Sequence, residues 1–430
     1  MGGARQLADS KAGIDIPPLT ADLARLKADV DAVNALGIIA DAPGINRVSF
    51  SDADMAGRRW LMTRMAECGL AAWMDSVGNV FGRWDVGAGP VVMVGSHLDS
   101  VVMGGPLDGT LGVCAALETV RAMQDAGLTP DRPVVVVATA DEEGRFGGML
   151  GSQAICGEID ANWIAGSVDD SGQPLSAALT RQGLDPEGDA AWTMADIAAF
   201  LELHIEQGPV LDHAGEAIGV VDAISGVYNW TVTLTGEANH SGTTPMDLRR
   251  DAFRGLADFG AAIDGIIGEA GCDQSRVTVG KVALTPNFPH SVAGRATFSI
   301  IGRDADEGVM DALATACQRR LEAVAERHGL GLDIAKQSWL PPTAMDAEIR
   351  QRLCELAAGI GAPHIMPSGA GHDAQTFARH CPAGLIFVPS LNGISHAPNE
   401  HTDWEQIRPG ADLLVRATAA LACGPAHRRS

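Results

Sequence analysis

The chain is poor in cysteine and in basic residues. Its 430 residues include eight cysteines, and no two of them form a CxxC pair. Isolated cysteines at this density are typical of a reduced, cytoplasmic protein and do not predict a disulfide framework. Lysine and arginine number 31 against 54 acidic residues, which gives a formal charge of −23. Charge of that sign repels phosphate groups, so neither nucleic acid nor an anionic membrane surface is expected as a partner.

Long apolar runs are missing as well. No stretch approaches the roughly 20 apolar residues that a membrane span needs, and the N-terminal residues lack the apolar core of a secretory signal. The sequence also contains no GxxxxGK[ST], GxSxG or HExxH motif, which excludes the enzyme classes built on them. Because 46% of the residues are hydrophobic, the chain can bury a large core. We expect a cytoplasmic, globular protein of two unequal domains.

Two kinds of strand pattern divide the chain. Continuous apolar runs at 91–95 (VVMVG), 134–140 (VVVVATA) and 385–390 (LIFVPS) are typical of buried parallel strands. Helical patterns alternate with them, so they predict an α/β domain with a mostly parallel sheet. Residues 228–236 (YNWTVTLTG) instead alternate polar and apolar side chains, as a half-solvated antiparallel strand does.

The middle of the chain therefore predicts a separate, inserted domain. Its elements follow the order β-α-β-β-α-β, which is that of a ferredoxin-like α+β fold. After the first strand, the predicted elements are a helix at 250–269, strands at 275–284 and 295–303, a helix at 306–328 and a strand at 331–339. We expect an α/β/α catalytic domain formed by residues 1–222 and 341–430, and a lid or dimerisation domain formed by residues 223–340.

Five polar segments follow the predicted strands or adjoin glycine-rich turns, where α/β enzymes place their sites. Their imidazoles and carboxylates suit zinc, manganese, cobalt or nickel, and two ions about 3.5–4 Å apart would need a shared carboxylate. Singly, a strand-end histidine or an adjacent Glu pair is more often structural or solvated, but the convergence of all five segments favours a site. The segments are GSHLDS (95–100), GGPLDGTLG (104–112), ADEEGRFGG (140–148), LHIEQGP (203–209) and SHAPNEHTDW (395–404).

The residues of these motifs and their order along the chain resemble those of the hydantoinase/carbamoylase branch of the aminoacylase and carboxypeptidase-type dinuclear metallohydrolases. That branch includes N-carbamoyl-L-amino acid hydrolases, β-ureidopropionases and allantoate amidohydrolases. The resemblance extends from about residue 45 to the C-terminus. It rests on the motifs GSHLDS, HIEQGP, NHSGTTPMDLRRDA, SGAGHDA and SHAPNE taken together.

The resemblance implies two divalent metal ions and a general base. Asp108 would bridge the ions, His97 and His204 would complete one of them, and Glu143 and His396 would complete the other. Asp99 would hold the His97 imidazole in the correct tautomer. Glu142 would act as the general base, because it adjoins a ligand without occupying a coordination position.

The resemblance also implies substrate contacts. His240 would stabilise the developing oxyanion, within a homodimer that forms through the lid. Arg303 would bind the substrate carboxylate, since a planar guanidinium suits a bidentate partner. Gln207, Gly369 and Ala370 would contact the substrate as well. We assign no role to His372, because a structural hydrogen bond would account for a histidine at this position equally well.

Three departures from the family pattern bear on the substrate. Asp141 stands where the family has an asparagine before its Glu pair, and the loop that follows is one residue shorter before Arg145. His290 stands where the family has a substrate-contacting asparagine. Imidazole cannot offer the donor and the acceptor of an amide in one plane. His290 therefore favours a different acyl group or a more acidic substrate, unless it merely packs at the lid.

The sequence thus predicts an amidohydrolase that cleaves the C–N bond of an N-carbamoyl or similar N-acyl amino acid. Allantoate-type ureide hydrolysis and deacylation of another N-acyl amino acid are alternatives with the same chemistry. A catalytically dead binding protein on the same fold is the alternative of another class. Glu142 is retained with all five implied ligands, which argues against that alternative because binding alone needs no base.

Overall fold

The computed structural model describes residues 19–40, 42–188, 192 and 196–423. The helices are α1 Leu23–Ala35, α2 Asp52–Glu67, α3 Thr110–Asp125, α4 Leu150–Cys156, α5 Ala161–Gly166, α6 Leu175–Arg181, α7 Val210–Ala214, α8 Ala252–Gly260, α9 Ile263–Ala270, α10 Glu307–His328, α11 Ala347–Ala357, α12 Asp373–Ala378 and α13 Trp404–Ala422. The strands are β1 Ala71–Met74, β2 Val80–Trp84, β3 Val91–His97, β4 Val134–Thr139, β5 Ile197–Ile205, β6 Gly219–Ile224, β7 Gly226–Thr235, β8 Arg276–Thr278, β9 Val282–Thr285, β10 Arg295–Asp304, β11 Gly331–Leu340, β12 Thr343–Ala344, β13 His364–Ser368 and β14 Ala383–Val388. Within the described residues, no helix combines the length and the apolar character that a membrane crossing requires.

The chain forms two compact units. The first comprises the residues up to Val220, Asp346–His364 and the residues from His372 onward, and the second comprises Val221–Met345 and Ile365–Gly371. The predicted division assigned 341–345 and 365–371 to the catalytic domain, whereas they pack with the second unit. Strand pairing is the reason. β12 pairs with the end of β6 through Thr343 and Ile224, and the Ser225 amide donates to Ser368 O.

The first unit is built on a mostly parallel sheet with the strand order β1-β2-β4-β3-β5-β14. β3 runs parallel to β4 and β5, and β5 runs parallel to β14, while β1 and β2 are antiparallel additions at one edge. Every residue of β3, β4 and β14 is buried, as their continuous apolar runs predict. The predicted α/β class is confirmed.

Two long helices complete the core of this unit. α3 and α13 pack against each other and against the central strands. Leu117 on α3, Leu414 on α13 and Val136 on β4 are fully buried in one cluster, and each such side chain contributes about 1.5–3 kcal/mol relative to exposure. The carboxyl ends of the parallel strands are thereby fixed, and the polar motifs follow these ends.

The second unit contains an antiparallel sheet with the strand order β11-β7-β10-β8, and β9 lies beside β10. Along β7 and β10, buried and partly buried side chains alternate, and Trp230 and Phe298 belong to the core that α8 and α10 cover. Two predicted elements need correction. The helix predicted at 250–269 is divided into α8 and α9, and the strand predicted at 275–284 is interrupted near Gly280, where Ser299 Oγ accepts the Lys281 amide hydrogen.

Candidate metal centre

The ends of two parallel strands and the start of one helix bring three predicted ligands together. His97 is the last residue of β3, and His204 is the penultimate residue of β5. Asp108 lies in the turn that leads into α3. Gly109 makes this turn possible, because its φ is 61° and a Cβ at this position would overlap the His97 ring. The local fold thus places two imidazoles and a carboxylate at one edge of the sheet.

We call His97, Asp108 and His204 the inner cluster. All three are buried, and Asp108 Oδ1 lies 3.2 Å from His97 Nε2 and 3.1 Å from His204 Nε2. The Nδ1 atoms lie beside backbone carbonyls, Asp99 O at 3.0 Å and Ile205 O at 2.9 Å. A carbonyl only accepts, so each Nδ1 carries a proton, and in the neutral imidazole each Nε2 offers a lone pair. The two Nε2 atoms are 3.5 Å apart, so with both imidazoles neutral three electron-pair donors face one another.

We call Asp108, Glu143 and His396 the outer cluster. His396 Nε2 lies 3.1 Å from Asp108 Oδ2 and 3.4 Å from Glu143 Oε2. His396 lies in the loop after β14 and has a left-handed φ of 54°. Gln207 donates its side-chain amide to Asp108 Oδ2 at 2.8 Å. Asp108 therefore presents one carboxylate oxygen to each cluster, as a bridging ligand would.

The donor set fits two divalent ions. Among the described residues, Asp108 Oδ1 and Glu143 Oε1 are buried without a hydrogen-bond partner, which is unfavourable unless a cation or water satisfies them. Each cluster offers three ligand atoms within 4.8 Å of one another. Imidazole nitrogen and carboxylate oxygen are ligands that zinc, manganese, cobalt and nickel accept. The five residues could hold two ions that share Asp108.

Buried carboxyl groups dominate the electrostatics of both clusters. Burial raises the pKa of Glu143 to about 7. Burial also acts to raise the pKa of Asp108, but its contacts with the three histidines hold that pKa well below the ordinary value. The hydrogen bond with Asp108 raises the pKa of His396 to about 9. Glu143 and His396 thus bind protons that a metal ion would displace on binding, whereas Asp108 stays ionised.

Asp141 shapes the turn that presents Glu142 and Glu143. It has a left-handed φ of 54°, and its carboxylate accepts the amide hydrogens of Arg145 and Phe146, both at 2.9 Å. Burial raises the pKa of Asp141 to about 7. Asp141 therefore closes the turn that presents the two glutamates.

Asp99 contacts both the same turn and His97. Its carboxylate accepts the amide hydrogens of Glu142 at 3.4 Å and Glu143 at 3.2 Å, and the hydroxyl of Ser49 at 2.9 Å. Its backbone carbonyl lies 3.0 Å from His97 Nδ1. The carbonyl is therefore the group through which Asp99 would hold the tautomer of His97, while its carboxylate supports the turn.

Glu142 lies beside the inner cluster without belonging to either cluster. Its Oε2 is 3.7 Å from His97 Nε2. Burial raises the pKa of Glu142 well above its ordinary value, although the nearby His97 opposes this. A carboxyl group with a raised pKa in this position can both accept a proton and return it.

Sequence reasoning missed several residues that support the clusters. Arg58, which is fully buried in α2, lies 3.6 Å from the Asp99 carboxylate. Glu400 accepts the backbone amide of Asp108, and its place in the SHAPNE motif was the only available signal. His372, which had no predicted role, packs edge-on against His204 with ring centroids 4.5 Å apart. Burial lowers its pKa well below the ordinary value.

The second unit brings Arg303 together with two of its predicted partners in substrate binding. Arg303 Nη1 donates to Gly369 O at 2.9 Å, and Ala370 follows in the same loop. Partial burial lowers the pKa of Arg303, and no nearby carboxylate opposes this effect in the described part of the chain. The guanidinium is thus held in place while its charge is not paired.

His240 and His290 are also neighbours within the second unit. The Ser241 amide donates to His290 O at 3.0 Å. His240 Nδ1 accepts the amide hydrogens of Gly242 at 3.0 Å and Thr243 at 3.2 Å. A neutral His240 therefore carries its proton on Nε2. Because the residue is exposed, this side chain is a preset hydrogen-bond donor.

The sequence profile of Peptidase family M20/M25/M40 matches residues 93–420. The chain belongs to this family. An N-carbamoyl-L-amino-acid amidohydrolase of Paenarthrobacter aurescens is 36% identical over 391 residues, which cover 89% of this chain and 94% of that protein. An allantoate amidohydrolase of Escherichia coli (strain K12) is 37% identical over 389 residues, which cover 89% of this chain and 94% of that protein.

A solved crystal structure with a similar fold indicates the same family as these relatives. The crystal structure of a hydantoinase/carbamoylase family amidase from Burkholderia multivorans has a TM-score of 0.87 at 32% identity, and the alignment covers 95% of this chain and 100% of that one. The resemblance to the hydantoinase/carbamoylase branch is therefore confirmed, and so is the predicted enzyme class. The chain is an amidohydrolase of the M20 family. Because the relatives' names divide between two kinds of substrate, the substrate has to be argued from the site.

Proposed function

We propose that the chain hydrolyses the C–N bond of N-carbamoyl or related N-acyl amino acids that carry a free carboxylate, using two ions of zinc, manganese, cobalt or nickel. The main observation behind this proposal is that His97 Nε2 and His204 Nε2 lie close to each other and to Asp108 Oδ1. With both imidazoles neutral, these three atoms offer electron pairs to one another, although His204 Nε2 also accepts the Gly109 amide hydrogen at 3.2 Å. A bound cation is the chemical partner that such a set requires.

The chemistry needs an activated water and a proton carrier, because an amide or ureido carbonyl is a poor electrophile. Divalent ions in the two clusters would polarise that carbonyl and lower the pKa of a water molecule. Glu142 would accept the proton of the attacking water and deliver it to the leaving nitrogen. Its burial supports this role, since a raised pKa suits a group that must both take and give a proton.

For the second unit, we propose roles in binding and charge stabilisation. The unpaired guanidinium of Arg303 would bind the substrate carboxylate, and the backbone of Gly369 and Ala370 would contact the substrate. The Nε2–H of His240 would donate to the developing oxyanion. In the first unit, Gln207 would contact the substrate from its place beside Asp108.

His290 favours a second candidate with the same chemistry. An imidazole in place of an amide offers one donor or, when protonated, a positive charge. An acidic ureide such as allantoate would suit it better than a neutral carbamoyl group would. Deacylation of another N-acyl amino acid is the further possibility that the substrate assay separates.

We also propose a homodimer that forms through the second unit. β11 is an edge strand of its sheet, and Trp339 and Leu340 at its end are exposed. An unpaired edge of this kind is a template for pairing with a second copy. Light scattering should give twice the chain mass, and Trp339→Glu combined with Leu340→Glu should reduce it to the chain mass. A monomeric parent protein would contradict the proposal.

The substrate assay compares four compound classes side by side. Metal-free protein is reconstituted with each of the four metals and given N-carbamoyl-L-amino acids, N-carbamoyl-β-alanine, N-acetyl-amino acids and allantoate. Release of both ammonia and amino acid from the carbamoyl compounds supports the proposal. Faster ammonia release from allantoate selects the second candidate, and amino acid without ammonia indicates a deacylase. No turnover with any metal would favour the binding-protein alternative.

A further inference from the structure

Glu400 is a buried carboxylate that the mechanism above does not use. It lies in the loop that carries His396, four residues further along the chain, and it is 3% exposed. A buried carboxylate is unfavourable unless hydrogen bonds or a positive charge compensate it. Its partners therefore indicate what it does.

Each of those partners belongs to Asp108, precedes it in the chain or contacts its carboxylate. Glu400 Oε1 accepts the backbone amides of Leu107 at 2.9 Å and Asp108 at 3.1 Å. Glu400 Oε2 lies 2.8 Å from Ser395 Oγ, and the same hydroxyl lies 3.2 Å from Asp108 Oδ2. Glu400 thus holds the backbone that leads to the shared ligand. The Ser395 hydroxyl, with its single hydrogen shared between the two carboxylates, lies between Glu400 and Asp108.

The chain makes room for this contact at Gly105. A Cβ at that position would overlap the Glu400 carboxyl group. The glycine therefore permits a side chain from a loop nearly 300 residues away to reach the turn that holds Asp108. The glycine-rich GGPLDG segment thus leaves the space that the glutamate of the SHAPNE segment fills.

We infer that Glu400 is a positioning residue that fixes Asp108 relative to His396 and so sets the affinity of the outer cluster for its metal ion. The inference rests on the proposed function, in which these residues bind two ions. The inner histidines do not depend on Glu400, because the backbone carbonyls of Asp99 and Ile205 orient them. Loss of Glu400 should therefore affect the outer ion more than the inner one.

The experiment titrates the metal-free, full-length protein with CoCl₂ by calorimetry and follows the visible Co²⁺ spectrum. For E400A, we expect the outer-ion affinity to fall at least tenfold, within the roughly 10–100-fold range for loss of a residue that supports a ligand. The inner-ion affinity should change less than threefold. E400D should resemble E400A, because its carboxylate is one methylene too short to reach the Leu107 and Asp108 amides.

E400Q tests whether position or charge matters. The Gln oxygen can accept both backbone amides and its NH₂ can donate to Ser395, so we expect at least half of the lost binding free energy to be recovered. E405Q is the matched control, because Glu405 is exposed and pairs with Arg408 on the surface; it should bind both ions normally. Far-UV circular dichroism of the metal-free variants verifies folding.

The outcomes separate the two hypotheses. If the parent protein binds no Co²⁺, the proposed function fails. If the parent protein binds two ions and E400A binds both with unchanged affinity, only the role of Glu400 fails. Equal weakening of both ions in E400A, or an E400Q as weak as E400A, would also overturn the positioning role.

Discussion

The inner and outer clusters share Asp108 but differ in what holds their other ligands. His97 and His204 lie on buried strands, and their side chains are 2% and 1% exposed. Glu143 and His396 lie on loops, and the His396 side chain is 49% exposed. A histidine held by the central sheet cannot move without disturbing the core, whereas a loop residue can. The comparison indicates a preset inner site and an adaptable outer site on the solvent side.

The largest expected effect comes from a change that leaves both clusters intact. E142Q removes the proton carrier and no ligand, so kcat should fall by about 10²–10⁴-fold, the usual contribution of general acid–base catalysis. Elemental analysis should still find two ions per chain. Turnover at the parent rate would remove Glu142 from its proposed role, and loss of an ion would make it a ligand.

The comparison itself is tested by removing one histidine from each cluster. H204A should lose the inner ion and weaken the outer one, because Asp108 is then left without its inner partner. H396A should lose the outer ion alone. We expect each loss to exceed the roughly 10–100-fold that a supporting residue contributes, measured by titration of metal-free protein. Identical metal binding in the two variants would contradict the distinction between the clusters.

A smaller effect is expected at Asp99. D99N weakens the acceptor for the Glu142 and Glu143 amides but leaves the Asp99 backbone carbonyl beside His97. The outer-ion affinity should fall about tenfold, and the inner-ion affinity should stay within threefold of the parent value. Calorimetric titration with Co²⁺ measures both. A stronger effect on the inner ion would show that the Asp99 carboxylate, and not its backbone carbonyl alone, supports His97.

The sequence was informative where polar residues of the site directly follow a buried strand. The apolar runs at 91–95 and 134–140 predicted the parallel strands, and the polar segments predicted a site at the strand ends. The resemblance of the motifs to the hydantoinase/carbamoylase branch implied the ligand sets that the structure brings together. Apolar runs and motifs can be read directly from the sequence.

Long-range hydrogen bonds were beyond such reasoning. The resemblance implied that Asp99 holds the His97 imidazole, but it did not show that the Asp99 carboxylate accepts amide hydrogens 43 and 44 residues away. Glu400 reaches Asp108 across 292 positions, and no local pattern marks that contact. The interruption near Gly280 likewise depends on Ser299 in the neighbouring strand.

The most direct test is anomalous diffraction from crystals of the full chain grown with Mn²⁺ or Zn²⁺ and measured at the metal edge. We expect two peaks, one bound by His97, Asp108 and His204 and the other by Asp108, Glu143 and His396, with the Asp108 carboxylate between them. An absence of peaks at these residues, or a single ion that does not touch Asp108, would contradict the shared-carboxylate centre.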